Sequence, residues 1–465
     1  MKLSIYNLRF AIVALLLVAM VSPLKAALNA NTVFEIRTTG GNDHGGGFVT
    51  GASGTDYSQQ ADPQYDITNG DATGVGAVMT TATAAANMVG NIGYLVGGTH
   101  CTVGWYEILS VVAGVSITLD RNFISDVGHT DVHFHIGGAF LLGGALDDEF
   151  TEALVAGNTV YVKTGTYTAA EAVAQAVDGT ALAPITWIGY TAARNDATVG
   201  TNRPLFDFTS YNLTFGDYTI AKNIRFTPAL TNGICGGFYG TFINCKFTNS
   251  SGTAGRFAFY SLTSKLISCE FVSTNGIGIY AEGPDAIVNC YVHDSVTGIQ
   301  STSSSVKIIG NVIDTCTTGI SYTAAAPVSH VVMQNTVYNC PTGISGGVCA
   351  SSSFINNIIT ACTTGASWTT EQKINFWDYN CWNNGAGDVS NVTKGPHDIT
   401  VDPLLTDPAN GDFTLQAGSP CLDTGAQMGT DQGAVGDYKV NIGIDQDDNA
   451  APAGGGGVAG YMGNF

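Results

Sequence analysis

Apolar and polar residues alternate in short runs through the middle of the chain, and the runs recur at a regular interval. The stretches FINCKF, LISCEF, IVNCYV and IIGNVI share this pattern. Alternation with a period of two is typical of a β-strand with one face in the core. In the first stretch it predicts that Ile243, Cys245 and Phe247 point inward, whereas Asn244 and Lys246 point outward.

One position of this strand recurs seven times. The steps between successive copies are 21, 24, 21, 21, 24 and 22 residues. A repeat of about 22 residues predicts a solenoid in which each coil covers the open face of the next. Leucine-rich repeats share this period, but their leucine framework is missing here. The seven residues are Ile224, Cys245, Cys269, Cys290, Asn311, Asn335 and Asn357.

A second short strand is predicted at a Gly-Ile step in each coil. The glycine is expected to provide a turn conformation that a side chain would resist, and the isoleucine to enter the core. Equivalent residues of successive coils would then stack about 4.8 Å apart. The steps are Gly276-Ile277, Gly298-Ile299, Gly319-Ile320, Gly343-Ile344 and, with a smaller residue in place of the isoleucine, Gly365-Ala366. A second inward ladder is predicted at Ser295, Cys316, Cys340 and Cys362.

The chain contains 11 cysteines, which in an exported protein raises the question of disulfides. Stacked cysteines run parallel, with their Cβ atoms farther apart than the roughly 3.8 Å typical of a disulfide. We therefore predict that the ladder cysteines are buried thiols that pack as small apolar residues. If any bridge forms, Cys381 with Cys421 is the better candidate, and the odd total leaves at least one thiol unpaired.

Charge narrows the range of partners. Charged residues make up 12% of the chain, and scarce Lys and Arg leave a net charge of −20. No basic stripe is present that could neutralise a row of phosphates, so a nucleic-acid partner is excluded. An acidic surface also repels strongly anionic polysaccharides unless local cations or a bound metal offset the repulsion.

The N-terminus has the pattern of an export signal. A basic start is followed by an apolar run over residues 11–21 and small residues at Ala26 and Ala27. We predict a signal peptide over residues 1–26, cleaved after Ala26, and hence a secreted, extracellular protein without a membrane partner. A membrane anchor is the alternative, but the apolar run is short for spanning a bilayer.

The repeat pattern and the two terminal segments resemble those of a known superfamily. The pattern Asn-x-(Val or Ile)-x-x-Cys-x-x-Gly-Ile at 311–320 and 335–344 resembles the parallel β-helix repeat of the pectin-lyase-like superfamily. DPLLTDPANGDFTLQAGSPCLDTGA from Asp402, then VNIGIDQDD, is similar to the closing segment of secreted and phage-associated members, and the opening from Thr32 is similar to their start. The resemblance implies an all-β, right-handed parallel β-helix. It leaves the activity open, because members include lyases, hydrolases, adhesins and tail proteins.

The predicted layout has five parts. The signal peptide (1–26) precedes a β-rich N-terminal module (27–143), and the parallel β-helix follows over 144–382. LDDEFTEALVAG from Leu146 predicts a short helix that caps the first coil and protects its edge. A C-terminal closing segment (383–450) and a Gly-rich flexible tail (451–465) complete the chain.

The resemblance implies where chemistry would lie. Lyases of this superfamily use acidic Ca²⁺ ligands with an Arg or Lys base on the outer face of the coils, and the hydrolases use two or three Asp; neither cluster is visible here. The best catalytic candidates are His293, Asp314 and Tyr291, because a His held by a carboxylate beside a Tyr could abstract a proton. The alternative is a solvated polar ladder. Its outward row is Thr248, Val272, His293, Asp314, Tyr338 and Thr360.

Aromatic residues collect near the last coils, in SWTTEQKINFWDYNCWNN. Flat rings beside amides and carboxylates could stack on sugars and hydrogen-bond their hydroxyls. The alternative is that these rings cover the last coils with apolar area. The predicted carbohydrate-binding residues are Trp368, Trp377, Tyr379, Trp382 and Tyr338.

A histidine pair raises the question of a metal. His133 and His135 share one face of a predicted strand with Asp131, and two His with a carboxylate can bind a transition metal. No third-ligand motif accompanies them, so we predict no metal site. We also predict no cofactor; calcium is compatible with the chain but not indicated by it.

These observations give one leading hypothesis and two alternatives. The leading one is a secreted, non-catalytic β-helix protein that binds a polysaccharide or cell-surface glycan, for attachment or for assembly at a cell or virion surface. The first alternative is a polysaccharide lyase or glycoside hydrolase acting on the outer face near His293. The second is a structural filament subunit that self-associates.

Overall fold

The computed structural model describes residues 28–426 apart from short internal segments. The predicted signal peptide, the capping helix predicted from Leu146 up to residue 153, VNIGIDQDD and the tail lie outside the described residues. The internal segments left out are 42–44, 73–74, 127–128, 142–153, 170–171, 176, 197–199, 210, 228–233, 236, 251–255, 303–304, 324–328, 348–351 and 371–374.

A closed six-stranded antiparallel barrel follows the first two strands of the chain. Strand β1 (Thr32–Arg37) pairs antiparallel with β2 (Gly47–Val49). The barrel has the strand order β3-β4-β7-β6-β5-β8 and encloses its own apolar core. Its strands are β3 (Tyr65–Ala72), β4 (Val78–Thr80), β5 (Ile92–Gly97), β6 (Gly104–Val112), β7 (Ser116–Leu119) and β8 (His129–Ile136).

After the barrel the chain returns to β1 and starts the coils. Strand β9 (Phe140–Leu141) and strand β10 (Thr159–Lys163) both pair parallel with β1. Phe34 and Ile36 of β1 are buried in the core of the coils. Strand β1, which lies within the predicted module 27–143, is therefore part of the first sheet of the solenoid.

Each coil contributes one strand to each of three parallel sheets. The first sheet contains β10, β13 (Ile185–Tyr190), β16 (Thr219–Lys222), β19 (Thr241–Ile243), β22 (Lys265–Ile267), β25 (Ala286–Val288), β28 (Lys307–Ile309), β31 (Val331–Met333), β34 (Ser353–Ile355) and β37 (Phe376–Asp378). The second sheet contains β11 (Thr166–Thr168), β14 (Leu205–Asp207), β17 (Arg225–Thr227), β20 (Lys246–Asn249), β23 (Glu270–Ser273), β26 (Tyr291–His293), β29 (Val312–Asp314), β32 (Thr336–Tyr338), β35 (Ile358–Thr360) and β38 (Cys381–Asn383). The third sheet contains β12 (Val173–Ala174), β15 (Leu213–Thr214), β18 (Ile234–Cys235), β21 (Phe257–Ser261), β24 (Ile277–Ala281), β27 (Thr297–Ser301), β30 (Thr318–Tyr322), β33 (Thr342–Gly346), β36 (Thr364–Trp368) and β39 (Gly387–Ser390).

The described helical elements are three 3₁₀ turns, and a hairpin follows the last coil. The turns are Ala86–Met88, Gly200–Asn202 and Pro408–Asn410. The hairpin consists of β40 (Leu405–Asp407) and β41 (Asp412–Leu415). The parallel β-helix and the all-β fold class predicted from the repeat are thus confirmed.

Inward residues of successive coils lie in register and fill the interior. On the second sheet the buried row begins with aromatic rings and continues with β-branched side chains. The rings of Phe226, Phe247 and Phe271 lie face to face, with centroids 4.9 and 5.0 Å apart. Each coil must present a side chain that matches its neighbours in the coils above and below, which explains why the chain repeats the same short sequence motif. The row is Tyr167, Phe206, Phe226, Phe247, Phe271, Val292, Ile313, Val337, Ile359 and Trp382.

A left-handed residue turns the chain between the first and second sheets. Asn244 has φ +51°, so FINCKF is two strands joined at a corner rather than one strand. The alternation restarts there, which buries Phe242 and leaves Ile243 facing outward, contrary to the sequence prediction. Asn is frequent at such corners because it tolerates this conformation better than most residues. Equivalent corner residues are Asn223, Asn244, Ser268, Asn289, Gly310, Gln334, Asn356 and Tyr379.

The Gly-Ile steps have a different physical basis from the predicted one. Gly319 lacks a positive φ; a Cβ on it would lie 2.5 Å from the Gly343 carbonyl oxygen and 2.8 Å from Val337. Close packing between coils therefore excludes a side chain there. The first step is also misaligned, because Ile279 pairs with Ile299 in the core and Ile277 is only half-buried.

The predicted inward ladders are confirmed by burial and by the state of the thiols. Cys245, Cys269 and Cys290 are buried and free, and so are Cys316, Cys340 and Cys362. Burial raises the pKa of the Cys269 thiol well above its usual value, which favours the neutral form. The candidate bridge is not formed either, because Cys381 and Cys421 are both free buried thiols.

Candidate functional site

The predicted catalytic candidates lie together on the outer face of the second sheet. Tyr291, His293 and Asp314 occupy adjacent strands, with His293 directly opposite Asp314 in the register. The rings of Tyr291 and His293 are stacked, with centroids 4.2 Å apart. The Tyr291 hydroxyl donates to Asp314 Oδ2 at 3.2 Å.

Two carboxylates contact His293, and neither is that of Asp314, which the sequence had predicted as its partner. Its Nε2 lies 3.2 Å from Glu270 Oε1, and its Nδ1 lies 2.8 Å from Asp294 Oδ2. Lys246 Nζ lies 2.5 Å from the same oxygen of Glu270 and forms an ion pair with it. His293 is therefore placed between two carboxylates, neither of which is Asp314.

These contacts shift the pKa values of His293, Glu270 and Tyr291. Burial by itself lowers the pKa of His293, but hydrogen bonds to Glu270 and Asp294 outweigh it and raise the pKa above the usual value. Burial opposes ionisation of Glu270, yet His293 and Lys246 lower its pKa to about 2. Burial and Asp314 raise the pKa of Tyr291. Both ring nitrogens of His293 face carboxylate oxygens and its raised pKa favours the protonated form, which opposes a role as a general base.

Glu270→Gln should lower the pKa of His293. The substitution removes a negative charge next to Nε2 while keeping the shape of the side chain, so the imidazolium loses one of its two stabilising carboxylates. Two-dimensional NMR of the histidine ring across a pH series measures the change. Glu282→Gln, an identical charge change on another part of the solenoid, is the control and should leave His293 unaffected. An unchanged His293 titration in the Glu270 variant would show that the pair does not form.

The C-terminal hairpin covers the neighbouring coils of this face. Leu405, Phe413 and Leu415 form an apolar cluster with outward residues of the second sheet, including Val312 and Ile358. The Phe413 ring lies 5.7 Å from the ring of Tyr338 and 6.2 Å from that of Tyr291. Tyr338, a predicted carbohydrate contact, is therefore half-buried beneath the hairpin.

The tryptophan part of the predicted carbohydrate site is corrected by burial. Trp368 and Trp382 are 2% and 0% exposed, and Trp377 is 5% exposed. The Trp377 ring stacks on Phe354 with centroids 3.8 Å apart, inside the last coils. The three rings are packed in the core of the last coils, so none of them offers a face to a sugar. Tyr379 remains half-exposed, stacked on the His397 ring.

A different group of rings lies on the outer face of the third sheet. Phe257, Tyr260 and Tyr280 form what we call the aromatic patch, in which all three rings are within 30° of parallel. The Phe257 and Tyr280 centroids are 4.8 Å apart, and Tyr260 lies 5.7 Å from each. All three side chains are half-exposed.

Hydroxyl and amide groups continue the patch along the same face. The outward row that contains Tyr260 and Tyr280 continues as Gln300, Ser321, Ser345 and Ser367 in successive coils. Glu282 accepts a hydrogen bond from the Tyr260 hydroxyl. Sequence reasoning missed this site, although extending the coil alignment one residue past Ile279 would have brought Tyr280 into register with Tyr260.

The predicted histidine pair is on the barrel, away from the coils. His133 and His135 lie on β8. Asp131, expected to accompany them, instead accepts hydrogen bonds from the Thr99 amide at 2.9 Å and the Thr99 hydroxyl at 2.6 Å.

Across the described residues, no helix has the length and apolar character needed to cross a membrane.

Part of the coils matches a known family model, and similar solved structures include polysaccharide lyases and a glucanase. Residues 243–392 match the family described as NosD, periplasmic copper-binding protein. No curated protein sequence matches the chain. Pectate lyase Pel9A shares 13% identity with a TM-score of 0.41, covering 64% of this chain and 89% of that one. A mannuronic acid specific polysaccharide family 6 lyase from human gut microbiota shares 13% identity with a TM-score of 0.37, over 53% and 74% of the two chains.

A third similar structure is a glucanase. The catalytic unit of the GH87 α-1,3-glucanase from Streptomyces thermodiastaticus strain HF3-3 shares 10% identity with a TM-score of 0.33, covering 72% of this chain and 89% of that one. Likenesses this distant concern the fold alone. The three parallel sheets and the stacked coils show that the chain contains a parallel β-helix, and residues 243–392 of it match the NosD family model.

Proposed function

We propose that the protein is an exported, non-catalytic β-helix that binds a polysaccharide on the outer face of its third sheet. The observation that carries the proposal is the aromatic patch, because parallel, half-exposed rings offer apolar area for contact with sugar rings. The row of Gln300 and serines beside it supplies donors and acceptors for sugar hydroxyls.

Charge favours a neutral glycan over a polyuronate. The whole chain carries a net charge of −20, and Glu282 lies against the patch itself. Each carboxylate of an anionic polysaccharide would be repelled by this surface, and the repulsion would be strongest at low ionic strength. The proposed ligand class is therefore an uncharged polysaccharide such as a glucan or xylan.

The polar cluster on the second sheet supports binding rather than turnover. His293 is held by two carboxylates at its two ring nitrogens, and its raised pKa favours the protonated ring over the free base. Tyr291, whose hydroxyl is bonded to Asp314, has a raised pKa and is a poor source of phenolate. A lyase or hydrolase would need another base on this face.

Replacing two rings of the patch should abolish most of the binding. We expect Tyr260→Ala with Tyr280→Ala to weaken association with a neutral polysaccharide at least about tenfold, because each ring contributes about 1 kcal/mol of contact. Affinity electrophoresis or calorimetry with neutral and uronate-containing polysaccharides measures it. Tyr211→Ala, which removes an exposed ring elsewhere on the solenoid, is the matched control.

Two results would contradict the proposal. Binding by the double variant as strong as that of the wild type would exclude the aromatic patch, and binding to no polysaccharide at all would exclude the function. Release of unsaturated, ultraviolet-absorbing products, lost in His293→Ala, would favour the lyase alternative instead.

A further inference from the structure

A compact group of three metal-ligating side chains lies on the outside of the barrel. Asp66 on β3 and His135 on β8 are directly opposite each other in the antiparallel pair. His133 lies two residues before His135 and so shares its face of the strand. Sixty-seven residues of sequence separate Asp66 from His133, so only the pairing of these strands brings the group together.

The three ligand atoms converge on one point. His133 Nε2 lies 2.7 Å from Asp66 Oδ1, His135 Nε2 lies 3.2 Å from the same oxygen, and the two nitrogens are 3.0 Å apart. From this triangle, a position about 1.1 Å above its plane is about 2.05 Å from all three atoms, which matches Zn–N and Zn–O bond lengths. No side-chain rearrangement is needed to bring three bonds of that length together.

Hydrogen bonds alone do not satisfy this arrangement. Each Nε2 atom must donate a proton to bond with the Asp66 carboxylate, but two N–H groups 3.0 Å apart then face each other. If instead one nitrogen accepts from the other, it no longer donates to the carboxylate. A cation to which all three atoms present lone pairs removes the conflict.

We propose that Asp66, His133 and His135 form a binding site for a divalent first-row transition metal ion. Two imidazoles and one carboxylate suit Zn²⁺, Cu²⁺, Ni²⁺ or Co²⁺, with Cu²⁺ bound most tightly, whereas Ca²⁺ and Mg²⁺ favour sites made only of oxygen. Asp66 is 56% exposed and His133 is 34% exposed, so a fourth coordination position is open to water or to a ligand. The site lies outside residues 243–392 and is independent of the family match there.

A looser histidine group on the same barrel provides a control. His100 Nδ1 lies 3.2 Å from His129 Nε2 and 3.4 Å from Asp126 Oδ2. The side chains of His100 and Asp126 are 54% and 58% exposed, and they are not ligands of the proposed metal site. His100→Ala removes one imidazole from the barrel while leaving Asp66, His133 and His135 intact.

Metal titration of the full chain tests the site. With Zn²⁺ in calorimetry we expect saturable binding by the wild type, weakened at least about 100-fold in His133→Ala and in Asp66→Asn, because losing a ligand exceeds the 10- to 100-fold effect of losing its support. His100→Ala should bind as the wild type does at this site. Bound Co²⁺ should show visible d–d absorption that Zn²⁺ displaces.

Two results would contradict the metal site. Wild-type affinity retained in both His133→Ala and Asp66→Asn would overturn the proposal, as would a wild type that binds neither Zn²⁺ nor Cu²⁺. Circular dichroism of each variant establishes that the barrel is folded, and Asp66, being the most exposed of the three, is the substitution least able to disturb it.

Discussion

Asn335→Ala should lower the free energy of unfolding by about 4 kcal/mol, because it orphans several buried polar groups at once. The Asn335 Oδ1 atom accepts from the Asn311 amide and from Asn311 Nδ2, both at 2.9 Å. Its Nδ2 atom donates to the Ile308 carbonyl at 2.8 Å and to Asn357 Oδ1 at 3.0 Å. Each buried group left without a partner costs about 1 to 3 kcal/mol.

The asparagine ladder makes this position more sensitive than a single side chain would be. Asn335, Asn357 and Asn380 each make the same four contacts, and Asn311 makes three of them because Cys290 precedes it in the ladder. The Asp398 carboxylate accepts the last pair from Asn380. A gap at Asn335 interrupts the ladder in its middle. The four asparagines and Asp398 belong to one line of hydrogen bonds that ends on a charged acceptor.

Urea unfolding followed by circular dichroism measures the loss. Asn335→Cys should be less harmful than Asn335→Ala, since earlier coils place Cys at this position and the Cys269 sulfur accepts from the Cys245 amide at 3.4 Å. Ser345→Ala, an outward change in the same coil, should remain within about 0.5 kcal/mol of the wild type. Equal stabilities of the wild type and Asn335→Ala would mean that the ladder is not part of the folded core.

Glu35→Ala should be nearly as damaging, because Glu35 is the buried acceptor for two arginines. It is 0% exposed and bonds Arg37 Nε at 2.5 Å, Arg194 Nε at 3.0 Å and the Tyr190 hydroxyl at 2.6 Å. Arg194 also reaches Asp56 at 3.0 Å. Removing the carboxylate leaves two largely buried guanidinium groups without their shared counter-charge, which typically costs about 3 to 5 kcal/mol.

The position of Glu35 makes the effect spread beyond one strand. Glu35 lies on β1, Arg194 follows β13, and Asp56 lies between β2 and the barrel, so the network joins the start of the chain to the second coil. Thermal unfolding of the variant should begin at this end, read by hydrogen exchange of β1 amides. Lys246→Ala removes a more exposed ion pair and should cost no more than about 1 kcal/mol. A Glu35 variant no less stable than Lys246→Ala would refute the role of the network.

The repeat could be predicted from local sequence because equivalent positions of every coil pack against the same positions of the next coil. Asn311, Asn335 and Asn357 recur at matching places since each must present its amide to the next coil. The corner at Asn244 was harder to anticipate, because a single left-handed residue inside FINCKF resets which side chains face the core. Period alone does not reveal such a change of phase.

The candidate sites depended more heavily on contacts between distant residues. Tyr291, His293 and Asp314 were brought together as the coil alignment predicted, but Glu270 and Asp294 determined the charge of His293. The aromatic clustering near Trp377 was visible in the sequence, while its burial followed from the shape of the last coils.

By itself, the sequence determined the all-β solenoid, its period and the inward ladders, since these depend on residues about 22 positions apart that stack by translation. The tertiary structure alone decided that the chain's histidine pair meets Asp66 across two paired strands of the barrel and that a C-terminal hairpin covers Tyr338. Those arrangements arise where non-repeating segments meet, and there no periodic spacing constrains which side chains become neighbours.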